Sequence, residues 1–143
     1  MNHDELSELA TEEFAKGYNC CETVLVTLGK YLDRDDFPVA AATPFGAGFG
    51  GRRDMCGILV GGAMVIGMKL GRTDPADIDT KLKVYKLAGA YYRWFKESNG
   101  TTLCRDIVPG KFTGHTGACV RIMEEACVKV AELVEDHEYS ATA

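Results

Sequence analysis

The chain has 143 residues, of which 46% are hydrophobic and 26% charged, and its formal net charge is -5 at pH 7. A chain of this size can bury its own core, so we expect a single domain over residues 1–143. The negative charge works against binding to nucleic acid or to an anionic membrane surface, because like charges repel. The N-terminal stretch is acidic and has no apolar run of the kind a secretory signal needs, so we expect a cytoplasmic protein.

The N-terminal part of the sequence shows the three- and four-residue spacing of an amphipathic helix. Its apolar positions are Leu6, Leu9, Ala10, Phe14, Cys21, Val24, Leu25 and Leu28. Gly17 and Tyr18 form a weak point in this helix, which we expect to end near Gly29. The segment from Asp33 to Pro44 then leaves room for a short helix.

The segment FGAGFGGRRDMCG places glycines at the spacing G-x-G-x-x-G, which is typical of a dinucleotide-binding loop. That fingerprint needs a strand before the loop, and the preceding sequence PVAAATP predicts none. We therefore expect no dinucleotide binding, and we interpret the glycines as allowing close packing around Cys56. Arg52 and Arg53 are the only basic doublet in the chain, and we expect them to lie in a solvated loop.

The most apolar stretch of the chain runs from Met55 to Leu70. It is shorter than the about twenty residues that span a bilayer, so we predict a buried helix that ends at Gly71. The sequence TDPAD then predicts the start of another helix, with Thr73 or Asp74 as its cap.

This second helix keeps helical spacing up to a stop at Asn99 and Gly100, and it carries two apolar lines. The first line consists of Ile78, Leu82, Tyr85, Ala88, Tyr92 and Phe95, and the second of Val84, Leu87, Tyr91 and Trp94. Because apolar residues occupy two sides, we expect this helix to be covered on more than one side.

The C-terminal part begins with the short segment CRDIV and the loop KFTGHTG. A last helix is predicted from about Ala118 to Asp136. No segment alternates β-branched and polar residues over the length of a strand. The sequence therefore predicts an all-α fold, a compact bundle of four main helices plus short helices, with no sheet.

The six cysteines are many for this length. In a reducing compartment they indicate metal binding, redox chemistry or quiet burial rather than structural disulfides. Cys56, Cys104 and Cys119 each fall at a predicted helix start, where the positive end of the helix dipole favours a thiolate. Free cysteine is also a small hydrophobe that is often fully buried, so inert burial stays open as an alternative.

Helix geometry limits which cysteines can share one centre. Cys119 and Cys127 would lie about 12 Å apart along one helix axis, too far to ligate one iron or zinc ion together. Cys20 and Cys21 are adjacent, so their side chains diverge by about 100° and one of them at most faces a given centre. Periodicity places Cys21 nearer to the core stripe. One cysteine from each pair, with Cys56 and Cys104, gives four thiolates, the number that tetrahedral zinc and ordinary iron-sulfur clusters require.

Four segments of the sequence together carry a family resemblance. They are GYNCCETVL, GAGFGGRRDMCGILVGGAMVIGMKLGR, WFKESNGTTLCRDIV and ACVRIMEEACVKVAELVE. From about Gly17 to Glu135 the chain resembles the C_GCAxxG_C_C family, whose members are described as redox-active. The family has a relative in the cysteine-bearing part of split-Soret cytochromes, which implies iron-sulfur or electron-transfer chemistry.

The resemblance also implies which cysteines act together. Matched position by position, the resemblance implies Cys20, Cys56, Cys104 and Cys119 as the metal-binding set. Cys21 and Cys127 occupy positions where the family more often has a small residue.

Three hypotheses follow. In the first, these four cysteines bind an iron-sulfur cluster or another thiolate-bound metal for electron transfer or redox sensing. In the second, the protein is a metal-free thiol-disulfide oxidoreductase. In the third, it is a non-catalytic helical domain with buried cysteines. Whether the protein is an enzyme is left open.

The expected partners are a redox partner protein or a small thiol, with no nucleic acid and no membrane, and a homodimer stays open. His115, between Cys104 and Cys119, is a further candidate ligand or proton donor, although a lone loop histidine is more often solvated.

Overall fold

The computed structural model describes the backbone of residues 1–111 and 116–142, and the side chains within these ranges up to residue 136. In chain order the elements are α1 (His3–Ala15), α2 (Cys20–Tyr31), α3 (Val39–Ala42), a 3-10 turn (Thr43–Phe45), α4 (Gly57–Leu70), α5 (Ile78–Asn99), α6 (Cys104–Ile107) and α7 (Gly117–Thr142). The described residues form no strand, and one isolated bridge pairs Met55 with Leu103. The predicted all-α bundle is confirmed.

The first predicted helix is in fact two helices, α1 and α2. Gly17 has a φ of 106°, which is left-handed backbone that interrupts a right-handed helix. The side chain of Asn19 then caps α2 by accepting a hydrogen bond from the Glu22 amide, and the Glu22 carboxylate accepts one from the Asn19 amide. The weak point at Gly17 is therefore a complete break, and it makes Cys20 the first residue of a helix.

α4 is the central helix of the bundle, because it packs against α2, α5 and α7. Its glycines permit these close approaches: a Cβ at Gly62 would lie 2.3 Å from the Tyr91 hydroxyl oxygen, and one at Gly61 would lie 2.9 Å from the Val24 Cβ. The Tyr91 hydroxyl donates a hydrogen bond of 2.9 Å to the Ile58 carbonyl, which satisfies its buried polar group.

α5 differs from the prediction in two respects. It begins at Ile78 with Asp77 as its cap, because the Asp74 side chain instead accepts a hydrogen bond from the Ala76 amide in a separate turn. The expectation that α5 is covered on more than one side is wrong. Tyr91 and Phe95 are buried, whereas most of the first apolar line is exposed, namely Ile78, Leu82, Tyr85 and Tyr92.

α7 runs along the bundle against α1, α4, α2 and α5. Its buried positions recur at helical spacing and complete the core; they are Ile122, Met123, Ala126, Cys127, Val130, Ala131 and Val134. The helix is longer than predicted at both ends. In the part of the chain that the structure describes, no helix has the length and apolar character needed to cross a bilayer.

Candidate metal and redox site

A single cavity of about 340 Å³ is lined by the four cysteines Cys20, Cys56, Cys104 and Cys119. Much of the rest of its wall is apolar, with side chains such as Phe14, Ile58 and Val108. All six cysteines of the chain are free thiols. The fold thus brings together four thiols that come from separate parts of the sequence.

Each of the four cavity cysteines lies where a helix begins. Cys20 is the first residue of α2 and Cys104 the first of α6, Cys56 directly precedes α4 as its N-cap, and Cys119 lies in the first turn of α7. Backbone N–H groups at a helix start have no partner within the helix and carry partial positive charge, so they favour an anionic sulfur. The predicted positions of Cys56, Cys104 and Cys119 at helix starts are confirmed.

The thiol of Cys20 packs directly against the start of α4. A Cβ at position 57 would lie 2.4 Å from Cys20 Sγ, so only glycine leaves room for it. Burial raises the pKa of Cys20, and the nearby thiols of Cys104 and Cys119 raise it further, whereas the Ala47 backbone N–H acts in the opposite direction. Cys20 therefore interacts electrostatically with thiols from two other segments of the cavity.

The loop between the 3-10 turn and Met55 forms one wall of the cavity. Its backbone is left-handed at several successive positions, namely Ala47, Gly48, Phe49, Gly50, Gly51 and Arg53. At Gly48 the conformation requires glycine for space as well, because a Cβ would lie 2.6 Å from the Asp54 amide nitrogen. The helices α3 and the 3-10 turn precede this loop, where a dinucleotide fingerprint would need a strand.

The isolated bridge between Met55 and Leu103 places Cys56 and Cys104 on the same face of the two bridged segments. The Cys56 amide donates to the Thr102 carbonyl at 2.8 Å, and the Cys104 amide donates to the Asp54 carbonyl at 2.7 Å. The two cysteines are therefore diagonal neighbours, a relation in which Cα atoms lie about 7–8 Å apart, longer than most disulfides span. The bridge keeps these thiols near one another without pairing them.

Arg53 fixes the segment that carries Cys104. Its Nε donates to Cys104 Sγ at 3.2 Å, its Nη1 donates to the Gly110 carbonyl at 2.9 Å, and its Nη2 donates to the carbonyls of Cys104 and Val108. The expectation of a solvated loop is wrong for Arg53, which is half-buried, while Arg52 is exposed. Arg53 is half-buried because its guanidinium binds acceptors on residues 104–110, and the rigid fork of donors on arginine can bind several acceptors at once.

Cys119 has a hydroxyl neighbour of its own. The Thr116 hydroxyl donates to Cys119 Sγ at 3.4 Å and accepts from the Cys119 amide at 3.3 Å, so it contacts both the side chain and the backbone of this residue. His115, the further candidate ligand, lies outside the described residues.

Cys21 and Cys127 are both fully buried in the core and do not line the cavity. Cys21 Sγ lies 3.8 Å from the sulfur of Met64, and burial raises the pKa of both thiols to about 12. Periodicity correctly placed Cys21 on the core stripe. Its neighbour Cys20 then faces the cavity, because adjacent helical side chains diverge by about 100°.

The four thiols line a cavity and do not converge on a single metal position. Within residues 1–111 and 116–136, no three histidine, cysteine, aspartate or glutamate side chains are placed to hold one metal ion. With metal-sulfur bonds of about 2.3 Å, such an ion would need sulfurs within about 4 Å of each other. The donor type and number match a cluster of several metal atoms, whose ligands are spread around a larger group.

Sequence reasoning from the residues missed Arg53, Gly57 and Asn19 as parts of this site. Two of them left a signal: Gly57 directly follows a cysteine at a helix start, and Asn19 with Glu22 has the spacing of a capping box. No signal in the sequence pointed to Arg53, because its acceptors lie more than fifty residues away.

Comparison with known proteins gives one result. No curated protein and no solved structure matches the chain. The model of the C_GCAxxG_C_C family, described as "Putative redox-active protein", matches residues 18–133, a range that includes all four cavity cysteines, and the chain therefore belongs to this family.

Proposed function

We propose that this chain is a redox protein in which Cys20, Cys56, Cys104 and Cys119 bind an iron-sulfur cluster or another group of thiophilic metal atoms, for electron transfer or redox sensing. The observation that carries the proposal is the single cavity lined by four thiols, each at a helix start. Four thiolates are the ligand set of ordinary iron-sulfur clusters. When bound, such a cluster supplies a site that accepts and releases electrons.

The surroundings of the four sulfurs suit a negatively charged centre. The backbone N–H of Ala47 is directed at Cys20, and those of Ile58 and Leu59 are directed at Cys56. Arg53 adds a charged donor at Cys104. Hydrogen bonds to ligating sulfurs stabilise negative charge and raise the reduction potential of a cluster. The apolar wall limits access of water.

Loading of the centre would release protons. Burial raises the pKa of Cys20 and raises that of Cys56 to about 12, so both thiols carry their proton at neutral pH in the metal-free protein. Thiolate is the form that binds metal, and metal affinity is therefore expected to increase with pH in the neutral range.

A second candidate function, thiol-disulfide exchange, is favoured by one observation. The Arg53 guanidinium donates to Cys104 Sγ, an arrangement that stabilises a thiolate nucleophile. In that chemistry the Cys104 thiolate attacks a disulfide supplied by an oxidised partner protein or small thiol, forms a mixed disulfide and releases one partner thiolate. A second cavity thiol, such as Cys20, then displaces the remaining partner thiolate and completes an internal disulfide.

The deciding experiment is to purify the chain without oxygen and to record its visible spectrum, its content of iron, other metals and acid-labile sulfide, and its thiol count. A coloured protein with iron and sulfide supports the cluster proposal. A colourless protein that keeps six thiols and loses two on addition of a small disulfide supports the second candidate. A colourless, metal-free protein whose thiol count stays unchanged on addition of the small disulfide overturns both proposals.

A further inference from the structure

The outer face of α5 exposes large apolar side chains. Ile78 is 51% exposed, Leu82 58%, Tyr85 65% and Tyr92 41%. Val84, Leu87 and Trp94, on the opposite side, pack against the core, and Tyr91 is buried in it. α5 therefore contributes one face to its own bundle and leaves the other without a cover among the described residues.

The exposed positions follow the spacing of a coiled-coil seam. Ile78, Leu82, Tyr85, Gly89 and Tyr92 are separated by alternating steps of four and three residues. Such a 4-3-4-3 pattern keeps one narrow stripe facing a partner helix. Gly89 has no atom within 4 Å of where a Cβ would be, so the stripe is open for a backbone to approach. We call these five residues the α5 seam.

Charge distinguishes α5 from the rest of the chain. Five basic and two acidic residues give the helix a net charge of +3, and since the whole chain carries -5, the remainder carries -8. The acidic remainder opposes approach to an anionic lipid surface. A second copy of the same helix is compatible with these charges only in particular orientations.

The antiparallel orientation satisfies that condition. When Leu82 lies opposite Tyr85 of a second copy, Asp79 lies beside Lys86 of that copy, and the two-fold axis repeats the pair. Lys81 then lies beside an alanine, Ala88 of the second copy. A parallel pairing would instead bring Lys81 against Lys86 of the second copy, and like charges there are repulsive.

We propose that the α5 seam binds a second copy of this chain, antiparallel across a two-fold axis, with two Asp79–Lys86 ion pairs at its edges. The proposal is independent of the chemistry of the cavity. None of the five seam residues lines the cavity.

The first test is sedimentation equilibrium of the full chain at loading concentrations from about 1 to 100 μM. We expect a dimer, and we expect Leu82→Glu to raise its dissociation constant about 100-fold or more, because each dimer loses two buried leucines and gains two opposed charges. Lys83→Glu is the matched control: it places the same carboxylate one residue along, on the flank away from the seam, and it should leave the dimer intact. Circular dichroism shows that both variants keep their helices.

The second test addresses the orientation. Asp79→Lys or Lys86→Asp alone should weaken the dimer, since each places two like charges side by side. The double variant Asp79→Lys/Lys86→Asp should restore it, because the ion pairs return with reversed polarity. Rescue of this kind is not expected from a merely apolar association.

Three outcomes overturn the proposal. One is a wild-type chain that is monomeric at every concentration. Another is a dimer that Leu82→Glu does not weaken, and a third is a double variant that is no tighter than the single ones. A monomer that binds vesicles of phosphatidylserine and phosphatidylcholine, and loses this binding in Leu82→Glu, would assign the seam to lipid instead.

Discussion

The six cysteines occupy two regions with opposite surroundings. Cys20, Cys56, Cys104 and Cys119 line a cavity at helix starts, with backbone N–H groups and Arg53 directed at several of the sulfurs. Cys21 and Cys127 lie in the apolar interior and do not line the cavity, and burial raises their pKa values to about 12, as it does that of Cys56. Cys20 and Cys21 are neighbours in sequence yet belong to different regions.

This difference shows that burial alone does not distinguish the cavity cysteines from the interior ones. Cys56 and Cys104 are almost as buried as the interior pair. The two regions differ in two ways. Several sulfurs of the cavity receive hydrogen bonds from backbone N–H groups or from Arg53, and the four cavity thiols share one space. Both follow from where the helices begin.

The largest difference between the two regions is expected when the thiols are removed one at a time. Under the cluster proposal, Cys56→Ser, Cys104→Ser and Cys119→Ser should each lower the metal retained after anaerobic purification by at least about tenfold, because a closed set of ligands tolerates a missing thiolate poorly. Cys127→Ser is the control, since this residue does not line the cavity. Equal metal loss in all four variants would contradict the distinction between the regions.

A second prediction uses two glycines of α4, one in each region. Gly57→Ala and Gly62→Ala should each destabilise the fold by about 1–3 kcal/mol, because the new Cβ would lie 2.4 Å from Cys20 Sγ and 2.3 Å from the Tyr91 hydroxyl oxygen, respectively. Gly67→Ala, with nothing within 4 Å, should be neutral or stabilising. Denaturant unfolding measures all three.

The two destabilised variants should differ in chemistry. Gly57→Ala displaces the Cys20 thiol and should change its alkylation rate, followed by mass spectrometry of the metal-free protein. Gly62→Ala should leave that rate as it is in the wild type. An identical alkylation pattern in both variants would argue against a role for Gly57 in the site.

A third prediction concerns the interior at alkaline pH. The pKa of Cys127 is about 12 in the fold against 9.0 for an ordinary thiol. Between these values the unfolded chain ionises and the folded one does not, so this thiol's contribution to stability is complete below pH 9 and is lost as pH rises toward 12. The loss amounts to about 1.4 kcal/mol per pH unit.

Cys127→Ala removes this titration. The variant should be less stable than the wild type at pH 8, because it loses packing, but the difference in unfolding free energy of the metal-free proteins should narrow as pH rises above 9. A constant difference between pH 8 and pH 11 would show that the Cys127 thiol ionises in the fold as it does in the unfolded chain.

The sequence sufficed for the helices, because their apolar residues recur at helical spacing. For α4, α5 and α7, most of the predicted ends lie within a few residues of the observed ones. The predicted stop at Gly100 is a left-handed cap, as such glycines usually are. The break before α2 could have been located from the Asn19–Glu22 spacing. The exposure of the α5 seam could not, since an apolar stripe on a helix looks the same whether its partner is the same chain or another one.

The cavity itself could not be predicted from local sequence patterns. Distances along a helix excluded pairs of cysteines, but only the family resemblance selected Cys20 over Cys21. The cavity wall depends on left-handed backbone at Ala47, Phe49 and Arg53, which are not glycines. Such conformations are held by contacts between distant segments, and the hydrogen bonds of Arg53 to residues 104–110 are contacts of this kind.

The bridge between Met55 and Leu103 also bears on the order in which the protein is assembled. It joins the two ends of the α4–α5 hairpin, so it can form only after both helices have been synthesised and have folded back on each other. Contacts between distant residues form late, because the chain must first lose the entropy of the intervening loop. Cys20 and Cys56 can meet through the packing of α2 on α4, whereas Cys104 and Cys119 arrive with the last third of the chain. A nascent chain therefore presents half of the thiol set before the other half exists. Under the cluster proposal, the metal centre is accordingly expected to be loaded after translation.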